Sequence, residues 1–91
     1  MRLDLFLKLS RLCSGRSPAQ KLCEAGLVLL NGRPAKCAHA IKPGDLIAVR
    51  QRDREIEVRV RFVPAARNVS KRDAKELIEV LSEKHFEPTG T

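Results

Sequence analysis

An eight-residue alternation in the second half of the chain is the strongest constraint on its fold. Charged side chains take the odd positions from 55 to 61, and apolar side chains take the even positions from 56 to 62. Successive side chains of a β-strand point to opposite faces, so this pattern predicts a strand with one buried face and one wet face. The apolar set ends at Phe62, which we expect in the core together with Phe6.

Two turn signals place further strands before this one. Asn31-Gly32 stands between two short apolar runs, and both central positions of such a tight turn need positive φ, which predicts a hairpin. Lys42-Pro43-Gly44-Asp45 predicts a type II turn, with Pro at its second position and Gly at its third. Another strand, over residues 46–50, is expected to follow. The middle of the chain therefore predicts a small, mostly antiparallel sheet.

The residues before the sheet have helical spacing. A first amphipathic helix is predicted over residues 3–13, with Asp4, Lys8 and Arg11 on its polar face. Gly15 is expected to end this helix in the left-handed conformation.

A second helix is expected to begin at Ser17 and to end at Ala25. Ser17 is the expected N-cap, Pro18 the first helical residue and Gln20 the reciprocal partner of a capping box. Gly26 is expected to close the helix.

A third helix is predicted near the C-terminus. Ser70 has the character of an N-cap, and four apolar residues follow at helical spacing: Ala74, Leu77, Ile78 and Leu81. Residues 85–91 are expected to be frayed. The predicted fold class is therefore α+β, with two packed N-terminal helices on a small, mostly antiparallel sheet and a C-terminal helix.

Positive charge is concentrated in the first half of the chain. The formal net charge is +7, and residues 1–44 hold eight Lys/Arg but only two acids. The remaining residues hold ten Lys/Arg and nine acids, which nearly cancel. A basic surface attracts phosphates and releases counterions when it binds them, so the first half is expected to bind a nucleic acid.

Nine residues are candidates for RNA contact, because they are basic or lie at the predicted hairpin turn or helix start. They are Arg2, Lys8, Arg11, Arg16, Ser17, Lys21, Asn31, Arg33 and Lys36. Two of the lysines have a simpler interpretation, since Lys8 can pair with Asp4 and Lys21 with Glu24 along a helix.

Basic residues of the second half are expected to lie outside the site. Arg52 and Arg54 are interpreted as solubilising charges of a polar connection. Lys71, Arg72 and Lys75 are interpreted as one solvated helix face, because acids are frequent around them.

Other functional classes find little support in the sequence. His39 and His85 have no nucleophile or orienting acid nearby, so no enzymatic activity is expected. The cysteines are odd in number and lack a Cys-x-x-Cys pair, so free thiols in a reducing cytoplasm are expected. Cys37 and His39 supply at most half of a zinc site, so no metal or other cofactor is expected. No apolar run is long enough for a membrane span, and the first residues do not resemble a signal peptide.

Several short motifs follow one another in the first fifty residues. They are Arg2-Leu3-Asp4 with Phe6-Leu7, Ser10-Arg11, Ala25-Gly26, Val28 with Leu30-Asn31-Gly32, Ala35-Lys36 and Lys42-Pro43-Gly44-Asp45. In order and spacing this set resembles the S-four domain, the alpha-L RNA-binding motif named after ribosomal protein four of the small subunit. The resemblance covers about residues 1–50. With an extra strand after that segment, we expect an S-four-type RNA-binding domain over residues 1–63, followed over residues 64–91 by a loop, the C-terminal helix and the frayed tail.

Among stand-alone members, the chain is similar to the group of ribosome-associated quality-control factors and the fifteen-kilodalton heat-shock protein. This implies binding to a large ribosomal subunit, with contacts to ribosomal RNA and peptidyl-tRNA. A monomer is expected because no long apolar surface stripe is left over. The resemblance carries RNA contacts onto Arg2, Arg11, Arg16, Ser17 and Lys36, beside the turn over residues 31–33. Family members commonly have basic residues where this chain has Ser14-Gly15. We therefore expect Arg16 to provide a larger share of the RNA contact. Two alternatives stay open: a ribosome-assembly factor, and a basic module that binds an acidic protein.

Overall fold

A computed structural model describes residues 1–65 and 69–85 of the chain. The elements are α1 (Leu3–Leu9), α2 (Arg16–Glu24), β1 (Val28–Leu30), β2 (Arg33–Pro34), β3 (Leu46–Gln51), β4 (Arg54–Val60), α3 (Lys71–Ala74) and β5 (Ile78–His85). The strands form one antiparallel sheet in the order β2-β1-β3-β4-β5. This confirms the predicted α+β class. The described helices are too short to cross a membrane.

The alternation along β4 produces the predicted inner face of the sheet. Ile56, Val58 and Val60 are buried, and the cross-strand partners of the first two on β3 are Val49 and Ile47, which are also buried. Leu3, Phe6 and Leu7 of α1 are fully buried in the same core. The two N-terminal helices therefore cover one face of a sheet whose other face carries the charges.

Both turn predictions are confirmed. Asn31 and Gly32 have φ of 52° and 85°, and the residues on either side of them pair across the β1–β2 hairpin. Gly44 has φ of 94°, and the Asp45 amide donates to the Lys42 carbonyl at 3.1 Å. The local sequence is sufficient at these two places because only a few residue types accept positive φ.

The ends of the first two helices differ from the prediction. α1 stops at Leu9, and Arg11, with φ of 66°, takes the left-handed conformation expected of Gly15, which is extended. This earlier turn brings the Cys13 amide to the Leu7 carbonyl at 3.0 Å and buries the Cys13 side chain. Burial of the segment after the helix thus outweighs the preference of glycine for the turn.

The predicted capping box of α2 is wrong. The N-cap is Gly15, and no side chain caps this end of the helix. Gln20 reaches across to Asp4 of α1 instead of back to the start of its own helix. The predicted closure of α2 is confirmed by Gly26, whose φ is 75°.

The predicted C-terminal helix is shorter than expected, and a strand follows it. Ser70 caps it as predicted, accepting from the Asp73 amide at 3.1 Å, but the helix ends at Ala74. The segment from Ile78 onwards pairs along the whole of β4, with a register shift between Glu57 and Val58. The open edge of β4 offers this segment a ladder of backbone hydrogen bonds, which outweighs its helical spacing.

Phe62 was predicted in the core, but it lies outside it. It lies beyond the end of β4, is 53% exposed, and its ring centroid is 5.6 Å from the Arg61 guanidinium carbon. The predicted fraying of the tail falls almost entirely on residues 86–91, outside the described part of the chain.

Substitutions at the cross-strand partners Val58 and Val80 test how far the core extends across the sheet. Val58 is fully buried whereas Val80 is 53% exposed. We expect Val58→Ala to lower the free energy of unfolding by about 2 kcal/mol, because it removes buried methyl groups and leaves a cavity. The same change at Val80 is the matched control and should cost less than about 1 kcal/mol. Equal losses in urea unfolding would contradict this description of the core.

Candidate nucleic-acid interface

A buried carboxylate lies beneath two of the predicted RNA-binding arginines. The Asp4 side chain is fully buried and accepts hydrogen bonds from Arg2 Nε and Nη2 at 3.2 Å each and from Arg16 Nη2 at 3.3 Å. Gln20 Nε2 donates to it at 3.0 Å and the Leu5 amide at 2.7 Å. One carboxylate thus joins the start of α1 to the first turns of α2.

Asp4 is buried, whereas the helical spacing predicted it on the polar face of α1. The loop between β2 and β3 covers the start of the helix: the Leu3 amide donates to the His39 carbonyl at 2.8 Å, and the Asp4 amide donates to the Cys37 carbonyl at 3.1 Å. Within the described residues Asp4 pairs with Arg2 and Arg16, and not with Lys8 as the simpler interpretation proposed. The sequence does contain one signal for this site: Asp4 lies in the first turn of α1, where free backbone amides favour a carboxylate.

The hydrogen bonds keep Asp4 ionised. Burial by itself raises the pKa of this carboxyl group, but the bonds from Gln20, Arg2, the Leu5 amide and Arg16 outweigh it and hold the pKa below its ordinary value. The hydrogen bond to Asp4 in turn raises the pKa of Arg2. The charged pairing is therefore the stable state at neutral pH.

Arg2 and Arg16 keep donors that face solvent. Their side chains are 49% and 44% exposed. A guanidinium group has five N–H donors, and those turned away from Asp4 can bind a phosphate or another anion. Ser17 is exposed beside Arg16 in the first turn of α2. Because Asp4 restricts both arginines, less side-chain freedom is lost when an anion binds.

A second group of candidates meets at the β1–β2 hairpin. Asn31, Arg33 and Lys36 line one cavity of about 400 Å³, together with His39. His39 was considered only as a catalytic residue or metal ligand in the sequence analysis, and no local pattern links it to the hairpin. The loop that carries Lys36 and His39 is the same loop that covers the start of α1, so the hairpin group and the arginine pair are joined by one segment.

The side chain of Asn31 has an internal role. Its Oδ1 accepts from the Leu46 amide at 2.9 Å, and its Nδ2 donates to Asp45 Oδ1 at 3.2 Å. The other Asp45 oxygen accepts from the Lys42 amide at 2.9 Å. These bonds fasten the hairpin turn to the start of β3 and so hold Arg33 in place.

The remaining candidates lie at the other end of α1. Lys8 and Arg11 line a small cavity with Val69, whose carbonyl accepts from Arg11 Nη2 at 3.5 Å. A non-glycine residue with φ of 66° costs roughly 1–3 kcal/mol, and such residues are frequent at functional sites. Lys21 is exposed on α2, and in the part of the chain that the structure describes it forms no ion pair with Glu24, contrary to the simpler interpretation.

The buried cysteines Cys13 and Cys23 are not candidates for chemical reactivity. Burial raises the pKa of Cys13 and Cys23 to about 11, which keeps both thiols protonated and unreactive at neutral pH. Among residues 1–65 and 69–85, no group of three or more His, Cys, Asp or Glu is arranged to hold a metal ion.

A family model described as the S4 domain matches residues 1–47. The chain is 39% identical over 83 residues to the RQC P-site tRNA stabilizing factor of Halalkalibacterium halodurans, covering 91% of this chain and 92% of that protein. It is 35% identical over 83 residues to the protein of the same name from Bacillus subtilis, covering 91% and 94%.

Among solved structures, the fold is similar to Heat Shock Protein 15 of Vibrio cholerae, described as a trimeric structure. The TM-score is 0.80 at 29% sequence identity, and the match covers 88% of this chain and 80% of that one. The similarity extends beyond the segment matched by the family model.

Replacement of Asp4 tests whether its charge stabilises the fold. Because the pKa of Asp4 is lowered in the folded protein, its contribution is fully present above about pH 4, the ordinary aspartate value, and is lost as the pH falls through the folded pKa. We expect Asp4→Asn to lower the free energy of unfolding by about 1–3 kcal/mol at neutral pH. The difference from the unmodified chain should shrink in acid, as measured by urea unfolding at a series of pH values. Asp53→Asn, at an exposed turn position, is the control for loss of one negative charge. A difference that does not change with pH would contradict the prediction.

Proposed function

The chain belongs to the S4 domain family and to the group of RQC P-site tRNA stabilizing factors, and we propose that it is a non-enzymatic RNA-binding factor of ribosome-associated quality control. In this proposal it binds ribosomal RNA and tRNA on stalled large ribosomal subunits. It acts in the cytoplasm, as a monomer and without a cofactor, and residues 1–63 carry the RNA contacts.

The observation that carries this proposal is the arginine pair held by Asp4. Two guanidinium groups are fixed by one buried carboxylate, and about half of each side chain is exposed. This arrangement suits the phosphate groups of a folded RNA, because fixed, charge-assisted donors bind phosphate with defined geometry. The hairpin group with Arg33 and Lys36 adds further positive charge. The loop that follows this hairpin contacts the start of α1, next to Arg2.

The choice of RNA rests on the relatives. Their name refers to P-site tRNA, and they match this chain over nearly its whole length. We therefore propose that this chain contacts a P-site tRNA that still carries the stalled peptide, together with the ribosomal RNA beside it. Arg2, Lys8, Arg11, Arg16, Ser17, Lys21, Asn31, Arg33 and Lys36 are the proposed binding set.

Arg16→Ala tests the site. We expect this change to weaken binding to large ribosomal subunits roughly tenfold, because a hydrogen bond from a charged group contributes about 1.5 kcal/mol or more. The slope of log affinity against log salt should fall by about one. Co-sedimentation at several salt concentrations measures both quantities. Thermal unfolding of the same samples checks that the variant, in which Asp4 loses one partner, is still folded.

A matched control for Arg16→Ala is available on the sheet. Arg59 is also half-exposed and ion-paired, with Glu79 at 2.8 Å, so Arg59→Ala makes the same change in net charge. Arg59→Ala should leave ribosome binding unchanged. Equal effects of the two substitutions would mean that only net charge matters and would refute the site assignment.

Sequencing of crosslinked RNA tests the identity of the partner. The proposal predicts crosslinks to tRNA and to mature large-subunit RNA. Crosslinks to precursor ribosomal RNA would instead favour a ribosome-assembly factor. Purification without RNA, in a stoichiometric complex with an acidic protein, would favour the protein-interaction module.

A further inference from the structure

A groove of about 610 Å³ lies between the α1–α2 connection, α2 and the β3–β4 turn. Its floor is apolar and includes Leu12, Pro18, Leu22 and Leu27. Gln51 Nε2 donates to the Leu12 carbonyl at 3.3 Å, which fixes the β3–β4 turn against the α1–α2 connection. The volume is within the range of about 300–1,000 Å³ typical of sites for small ligands.

Four cationic residues line this groove, and three of them are available to a ligand. Arg54 is engaged, because it pairs with Glu83 at 3.5 Å and donates to Gln51 at 3.3 Å. Arg11, Lys21 and Arg52 form no ion pair within residues 1–65 and 69–85. A groove with an apolar floor and three available cations is complementary to a ligand that joins a flat apolar group to an anion.

The strained residue Arg11, whose turn allows Cys13 to be buried, also lies at this groove. This residue adopts φ of 66°, a conformation in which glycine or asparagine would be less strained. The cost is accepted at a residue whose side chain lines the groove and is steadied by the Val69 carbonyl. Strained non-glycine residues cluster at ligand sites, where the surrounding structure holds them in place.

We propose that this groove binds one unpaired nucleotide of the RNA, with its base against the apolar floor and its phosphates on Arg11, Lys21 and Arg52. The inference rests on the proposed RNA-binding function and adds Arg52 to the interface. Arg52 was interpreted from the sequence as a solubilising charge. The base meets aliphatic side chains and guanidinium groups, which can stack on its face, so no aromatic residue is required.

An RNA nucleotide fits the groove better than an acidic peptide segment. The groove and the arginine pair share α2: Pro18, Lys21 and Leu22 line the groove. Arg16 and Gln20, on the other side of the same helix, contact Asp4. An α-helix is only about 10 Å across, so an RNA bound at Arg16 on one side of α2 is within reach of the groove on the other.

Two substitutions at the groove test the proposal on large ribosomal subunits carrying P-site tRNA. Arg52→Ala should weaken binding roughly tenfold and lower the salt slope by about one. Arg11→Gly should weaken binding to a similar extent but leave the fold as stable as before, or more stable, because glycine accepts this φ. Thermal unfolding of the same samples separates the loss of binding from a loss of structure, and Arg59→Ala again controls for net charge.

Ultraviolet crosslinking followed by mass spectrometry of the peptides tests the position of the base. A nucleotide attached within residues 11–27 or 51–54 is the expected result, and this attachment should be lost in Arg52→Ala. Arg16→Ala, measured in parallel and shown by thermal unfolding to be folded, reports on the proposed function by itself. If Arg16→Ala weakens binding while Arg52→Ala and Arg11→Gly change neither affinity, salt slope nor crosslinks, the groove proposal is overturned and the function stands. If the unmodified chain binds no ribosomal RNA or tRNA, the proposed function itself fails.

Discussion

The carboxylate of Asp4 is the interaction on which the arrangement of the N-terminal half depends. It lies where α1, α2 and the loop after β2 meet, and it bonds to groups from both helices. A buried charge without partners is strongly destabilising, so the fold tolerates Asp4 only if Arg2, Arg16 and Gln20 stay in place. The same contacts that satisfy the carboxylate also fix the position of two arginines at the surface, which links stability directly to RNA binding.

Charge in the second half of the chain is arranged in the opposite way. Arg59 pairs with Glu79 and Arg54 with Glu83 across the β4–β5 ladder. Two of the acids that suggested a solvated C-terminal helix, Glu79 and Glu83, therefore form ion pairs across the sheet. With these charges neutralised locally, the field of the molecule is dominated by the basic first half, which is the arrangement that attracts a polyanion from a distance.

The sequence predicted those features that depend on a few neighbouring residues. The Asn31-Gly32 hairpin, the turn at Gly44 and the alternation of β4 all follow from local backbone preference or period, and the helix pair follows from apolar spacing. The features that it did not predict depend on distant segments. Asp4 is buried by a loop more than thirty residues away, and residues 78–85 become a strand because β4 offers an open edge. The candidate site was predicted residue by residue, but its grouping around Asp4, the hairpin cavity and the groove required the tertiary structure.

The two outer strands have a consequence for how the sheet meets other chains. An unpaired strand edge is a template on which further strands can assemble, and proteins guard such edges with short strands, proline, charges or bulges. One edge here is β2, which has only two residues and includes Pro34. The other is β5, which carries Glu79, Glu83 and Lys84 and is interrupted by the register shift opposite Glu57 and Val58. The sheet is thus protected at both margins against aggregation by strand addition.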